Sequence, residues 1–153
     1  MPKITFIEHD GQEHCVDAEV GQSVMQTAMN NMIAGIQLLA MAEGLVMGEK
    51  LGVDRKILFD VLTTSTAASS IMERSFSLPG VVKTAASSNG FKPGFMAKLM
   101  LKDMRLSQQA AQMAGTSTPL GAVATAAFEL HVGNGHGNLD SSSIIKLIKP
   151  DVA

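Results

Sequence analysis

The strongest constraint in this sequence is the stretch from Gln22 to Lys50, which holds no proline and places apolar residues at Val24, Ala28, Met32, Ile36, Leu39, Ala42 and Val46. Spacings of three and four residues put these side chains near one face, so the run predicts a single helix of some 40 Å at about 1.5 Å per residue. Ser23 can cap its start. Gly35, Gly44 and Gly48 each cost a helix up to about 1 kcal/mol relative to Ala, which is offset if they let other helices cross closely. Glu43, Glu49 and Lys50 at its far end favour a buried crossing in a soluble bundle over a membrane seam.

A helix of that length needs partners, and the rest of the chain supplies candidates. Gly52 and Asp54 end it and cap the next helix, Arg55 to about Leu62. Short helices are expected over Ser69–Phe76 and Gly80–Ala86. Ser88-Asn89-Gly90 and Lys92-Pro93-Gly94 mark a loop, and a second long helix runs from Phe95 to Ala114. Gly115 and Pro119 separate it from a third, Leu120 to Val132. Gly133 to Asn138 reads as a connector, and Asp140 and Ser141 cap a last helix ending before Pro150. At the other end, Lys3–Glu8 and Glu13–Ala18 are β-favouring runs around Asp10-Gly11, a tight-turn signal, and predict a two-stranded hairpin.

Composition agrees with a mainly α fold. Eleven Met with no Tyr or Trp among 153 residues favours helices packed through flexible and small side chains and disfavours a β-sandwich. Hydrophobic content of 46% against 17% charged residues excludes a disordered chain, and a net charge of −2 gives no basis for a nucleic-acid partner. The lone Cys15 can neither form an internal disulfide nor hold a zinc ion or iron-sulfur cluster by itself, so a reducing compartment is expected. No signal-peptide pattern and no unbroken apolar run of bilayer length is read, so the expectation is a cytoplasmic protein without a membrane partner.

Chemistry-bearing residues are sparse. His9, His14, His131 and His136 lack paired metal-ligand spacing and read as solvated. Ser65, Ser69 and Ser70 have no nearby His base. No Gly-x-Gly-x-x-Gly follows a strand, and the glycine-rich 133–138 segment has no βαβ unit around it, so no dinucleotide cradle is read.

Two resemblances meet at Asn30-Asn31. The first thirty residues, with Ile-Glu-His-Asp-Gly, Val-Asp-Ala and Val-Gly-Gln-Ser-Val-Met, resemble the opening of adrenodoxin-like [2Fe-2S] ferredoxins, without the Cys-rich loop that holds the cluster there. From Asn30 onward the chain is similar to the C-terminal domain of 3-hydroxyisobutyrate dehydrogenases. The matching runs are Asn30-Asn31-Met32, Ala42-Glu43-Gly44-Leu45, Gly48 to Asp54, Phe95 to Asp103 with its Phe-x-x-x-Leu-x-x-Lys-Asp element, and Gly135 to Ser143. This resemblance implies an all-helical bundle of the 6-phosphogluconate dehydrogenase C-terminal type. It implies that Asn31 is a substrate-binding amide, that Lys102 with Asp103 beside it lies near the cofactor, and that Thr27 stands where the family has its general acid/base lysine.

From these readings the expectation is a chimera, recombined or artificial, divided at 1–30 and 31–153. Its role would be structural or self-assembling, with no catalytic residue, cofactor or metal and only weak small-carboxylate binding at Asn31 and Lys102. Loss of a covering domain and the open hairpin edges imply a homodimer. The alternative is a 3-hydroxyisobutyrate dehydrogenase-like remnant that binds a small hydroxy acid or docks on a separate nucleotide-binding subunit.

Overall fold

The computed structural model describes residues 3–7, 13–17 and 24–152. Strands β1 (Lys3–Ile7) and β2 (Glu13–Asp17) pair antiparallel, with Thr5 opposite Cys15 and Phe6 opposite His14. The Asp10-Gly11 turn, His9 and the Ser23 cap lie outside the described residues. Five α-helices follow: α1 (Val24–Lys50), α2 (Arg55–Thr64), α3 (Ser70–Arg74), α4 (Ala97–Ala114) and α5 (Pro119–His131).

Helix α1 is continuous, and its stop is built as its sequence predicts. The Val53 amide donates to the Gly48 carbonyl and the Gly52 amide to the Glu49 carbonyl, both at 3.0 Å, around Gly52 at φ +85°. This closing pattern needs a left-handed residue that only glycine adopts without penalty. Asp54 then caps α2, accepting from the amides of Lys56 and Ile57. Glu49 accepts from Arg55 Nε at 2.7 Å and is also paired with Lys149, so the end of α1 is tied to α2 and to the C-terminal segment. The Lys149 ammonium first, and then the Arg55 guanidinium, hold the Glu49 carboxyl below its usual range.

The core lies where α4 and α5 pack on α1, with Phe76, Phe91 and Phe128 sealed inside. Two of the three glycines singled out in α1 serve close approach. A Cβ on Gly35 would stand 2.7 Å from Met104 Sδ, and one on Gly48 would stand 2.7 Å from Leu58 Cδ2. Gly44 is different, because nothing lies within 4 Å of its missing Cβ, and it borders a surface groove beside Leu62 and Met72. A glycine the sequence did not mark, Gly121 in α5, admits Met32 and Gln108. By length and composition Gln26–Lys50 could also cross a bilayer, with mean hydropathy 1.3, contrary to the sequence reading. Leu38, Met41, Ala42, Leu45 and Val46 nevertheless form part of the protein core, and a soluble core helix passes the same test.

The helix expected over Gly80–Ala86 is absent. Gly80 turns at φ +90°, and a 3-10 helix forms one step later, at Ala86–Asn89. Side chains take over the backbone bonding there: Asn89 donates to the carbonyls of Lys83 and Ala85, both at 2.9 Å, and Ser87 donates to that of Phe76. Such local competition by Ser and Asn disfavours a regular helix. The 133–138 connector is likewise more ordered than a loop. Residues Val132–His136 continue α5 as a wide π turn, and the carbonyls of Gly137 and Leu139 accept from the amides of Lys98 and Ala97 at the start of α4. The final segment, Ser141–Leu147, is a 3-10 helix capped by Asp140 as expected.

Asp140 fastens this end of the bundle. One carboxylate oxygen accepts from the amides of Gly94 (2.9 Å) and Phe95 (3.1 Å), and the other from the amide (3.0 Å) and hydroxyl (2.7 Å) of Ser142. Asp140→Ala removes the acceptor of four bonds at a site only 8% exposed, and is expected to cost about 3 kcal/mol in urea unfolding. Asp140→Asn, which keeps one carbonyl oxygen, should cost less.

His131, read from sequence as solvated, is fully buried, because α5 turns it inward against Ser143. Its Nε2 lies 2.8 Å from Ser143 Oγ, its Nδ1 has no partner, and the His136 ring sits 4.9 Å away. Burial, and then the nearby charges of His136 and Lys146, push its pKa down to about 4. The unfolded chain takes up this proton near 6.5, so stability present at neutral pH is lost as pH falls from about 6.5 to 4, by on the order of 3 kcal/mol. Urea midpoints measured across that window should drop in this way, and His131→Leu should flatten the slope.

Candidate functional site

The site begins at the α1–α4 crossing. Helix geometry places Asn31 one turn beyond Thr27 on α1, and α4 brings Lys102 and Asp103 to the same level. Asn31 Nδ2 donates to Asp103 Oδ2 at 2.7 Å, and Lys102 Nζ lies 3.5 Å from Asp103 Oδ1. Asn30 Nδ2 donates to Asn31 Oδ1 at 3.3 Å. The Asp103 side chain is 4% exposed and that of Lys102 is 26% exposed. A carboxylate this buried needs a countercharge and hydrogen-bond donors, and Lys102 and Asn31 provide them.

The two residues that the dehydrogenase resemblance marks for binding, Asn31 and Lys102, are therefore gathered on one carboxylate. Asp103, noted in the sequence only as a neighbour, is the hub of the arrangement. Thr27 is half-buried on the same helix, a turn away. With Nδ2 giving one hydrogen to Asp103 and Oδ1 occupied by Asn30, Asn31 keeps a second amide hydrogen to donate.

A cleft of about 780 Å³ opens beside this network. Asn30 and Asn31 form part of one wall, Arg74 and Ser75 at the end of α3 form another, and Lys92 and Phe95 border it from the loop before α4. Lys102 reaches Asp103 but does not line the cleft. Arg74 and Lys92 were not marked in the sequence, and the only pointer to Lys92 was its place in Lys92-Pro93-Gly94, just ahead of the Phe-x-x-x-Leu-x-x-Lys-Asp element.

Among the described residues no three His, Cys, Asp or Glu side chains gather where they could hold a metal ion. A dinucleotide cradle fits no better. The two described strands form an antiparallel pair, not the parallel βαβ unit of such sites. The first amides of α4, the donors that could meet a phosphate, already donate to Gly137 and Leu139 carbonyls. The described residues thus offer a binding wall for a small polar molecule.

Comparison with known proteins places the bundle in a dehydrogenase family. The family model described as NAD-binding of NADP-dependent 3-hydroxyisobutyrate dehydrogenase matches residues 21–148. A probable 3-hydroxyisobutyrate dehydrogenase of Mycobacterium tuberculosis is 36% identical over 136 residues, covering 89% of this chain and 45% of that protein. A 3-hydroxyisobutyrate dehydrogenase of Pseudomonas aeruginosa is 38% identical over 138 residues, covering 89% and 46%. The solved structure of the Mycobacterium tuberculosis enzyme with L-serine superposes with a TM-score of 0.78 at 36% identity, over 80% of this chain and 42% of that one. The chain spans less than half the length of these relatives.

These matches correct the expectation of a chain outside enzymology. Relatives at 36% and 38% identity are named as dehydrogenases, which overturns the expectation of a non-enzyme and points to an enzyme family. The expected all-helical architecture of the dehydrogenase C-terminal type is present. The chain belongs to the family of the NAD-binding domain of NADP-dependent 3-hydroxyisobutyrate dehydrogenase.

Proposed function

We propose that this chain is the substrate-side half of a 3-hydroxyisobutyrate dehydrogenase-like oxidoreductase, holding a small hydroxy acid against Asn31 and working with a nucleotide-binding partner. The observation that carries the reading is the Asn31–Asp103–Lys102 network beside the cleft. The free Asn31 amide hydrogen donates to the substrate, and Lys102, set back from the cleft, compensates the charge of Asp103. Asp103 acts as a positioning residue, fixing the rotamer of Asn31 and the ammonium of Lys102. The relative solved with L-serine, itself a small hydroxy acid, supports this substrate class.

Titration calorimetry on the full chain with 3-hydroxyisobutyrate and with L-serine tests the reading. Asn31→Ala should weaken binding by about tenfold or more, the loss of one hydrogen bond to a charged group, and Lys102→Gln, which strips Asp103 of its countercharge, should weaken it by less. Absence of heat with both acids at millimolar concentration would remove the proposal.

A second reading concerns the first twenty residues, which precede the family match. We propose that the β1–β2 hairpin, with its ferredoxin-like sequence, is a segment of separate origin joined to the bundle ahead of α1. It contributes little to bundle stability on this reading. Deleting residues 1–20 should leave the thermal midpoint within about 2 °C of the full chain, and a loss of more than about 5 °C would show the hairpin to be an integral part of the domain.

A further inference from the structure

We infer that the hydroxy acid received by this cleft carries a second anionic group, which Arg74 and Lys92 bind. The inference rests on the substrate-side reading above and extends it to substrate class.

The argument is one of charge and of preorganisation. Three charged residues line the cleft: Arg74, Lys92 and Asp140. Asp140 is spent, because both of its oxygens already accept from Gly94, Phe95 and Ser142. Arg74 and Lys92 make no ion pair among the described residues, so neither charge facing the cleft is compensated. A chain with net charge −2 therefore turns two uncompensated cations toward the same hollow as the Asn31 amide. A monocarboxylate needs one countercharge beside the Asn31 amide, and two cations lining the same hollow suit a second carboxylate or a phosphate as well.

The Lys92 edge is a built feature. Phe91 adopts φ +57°, a left-handed conformation rare for a bulky residue. Its ring is buried, with Lys146 Nζ 5.1 Å from the centroid, its amide donates to Ala86 at 2.7 Å, and its carbonyl accepts from Asp140 at 3.0 Å. Beyond Lys92, Pro93 fixes its own φ and Gly94 is held by Asp140. The backbone of Lys92 is thus clamped on both sides, as is common where local strain positions a side chain for binding.

Titration calorimetry on the full chain with 3-hydroxybutyrate and 3-hydroxyglutarate, which differ by one added carboxylate, tests the assignment, with inorganic pyrophosphate as a third probe. Both cations are solvent-exposed, so each contact is modest, and 3-hydroxyglutarate should bind about tenfold more tightly than 3-hydroxybutyrate. The ratio should shrink as salt is raised and approach one in the R74Q/K92Q double variant. Equal affinities in the unaltered chain, or a ratio that survives in the double variant, would overturn the inference while leaving the substrate-side reading intact. Binding of pyrophosphate that depends on Arg74 and Lys92 and excludes 3-hydroxyglutarate would reassign the pair to a nucleotide phosphate and overturn it too. Failure of both hydroxy acids to bind, or binding indifferent to Asn31→Ala, would overturn the substrate-side reading and this inference with it.

Discussion

The crossing of α1 and α4 brings two incompatible environments within a few turns of each other. At Gly35 the helices approach so closely that a methyl group would push the Met104 thioether aside, and near Ala28 the Ser107 hydroxyl donates to the α1 backbone. One turn from Gly35, the same approach buries the carboxylate of Asp103. A charge removed from water is tolerated only with donors and a countercharge in reach, and it is the glycine-enabled proximity that brings Asn31 from one helix to Asp103 on the other. The candidate binding wall is thus a by-product of how tightly two helices pack, and widening the seam would loosen it.

A second fixed point sits at the opposite side of the cleft. Asp140 caps the Ser141–Leu147 helix and simultaneously ties down the loop at Gly94 and Phe95. The glycine-rich turn after α5 adds to the same corner by giving its carbonyls to the start of α4. Residues that resemble a phosphate loop in composition are therefore acting as acceptors for a helix N-terminus. That reversal shows why a glycine-rich string without its strand and helix context says little about ligand chemistry.

Much of this was legible from local rules. The proline-free run gave α1, Leu51-Gly52-Val53-Asp54 gave a stop followed by a cap, and Asp140 gave the start of the last helix, because each depends on a few adjacent residues. Residues 80–86 were misjudged because Ser87 and Asn89 bond backbone groups several positions away, which no periodicity records. His131 was misjudged because its burial depends on how α5 turns toward Ser143. At the site, Asn31 and Lys102 were visible through a family resemblance, while Asp103's central place needed the helix crossing. Arg74 and Lys92 come from separate segments that only the fold brings to one cleft.

The Gly35–Met104 contact has a mechanical side as well. A glycine facing a thioether is a soft joint, since a methionine side chain with three rotatable bonds can follow small shifts of the opposing helix without losing contact. The Asn31–Asp103 bond at 2.7 Å has no such latitude, because hydrogen bonds weaken steeply with distance and angle. Stiffness and compliance are thus stacked along a single seam. Small adjustments of α1 against α4 are absorbed by sulfur and methyl groups, while the polar point that faces the cleft keeps its geometry.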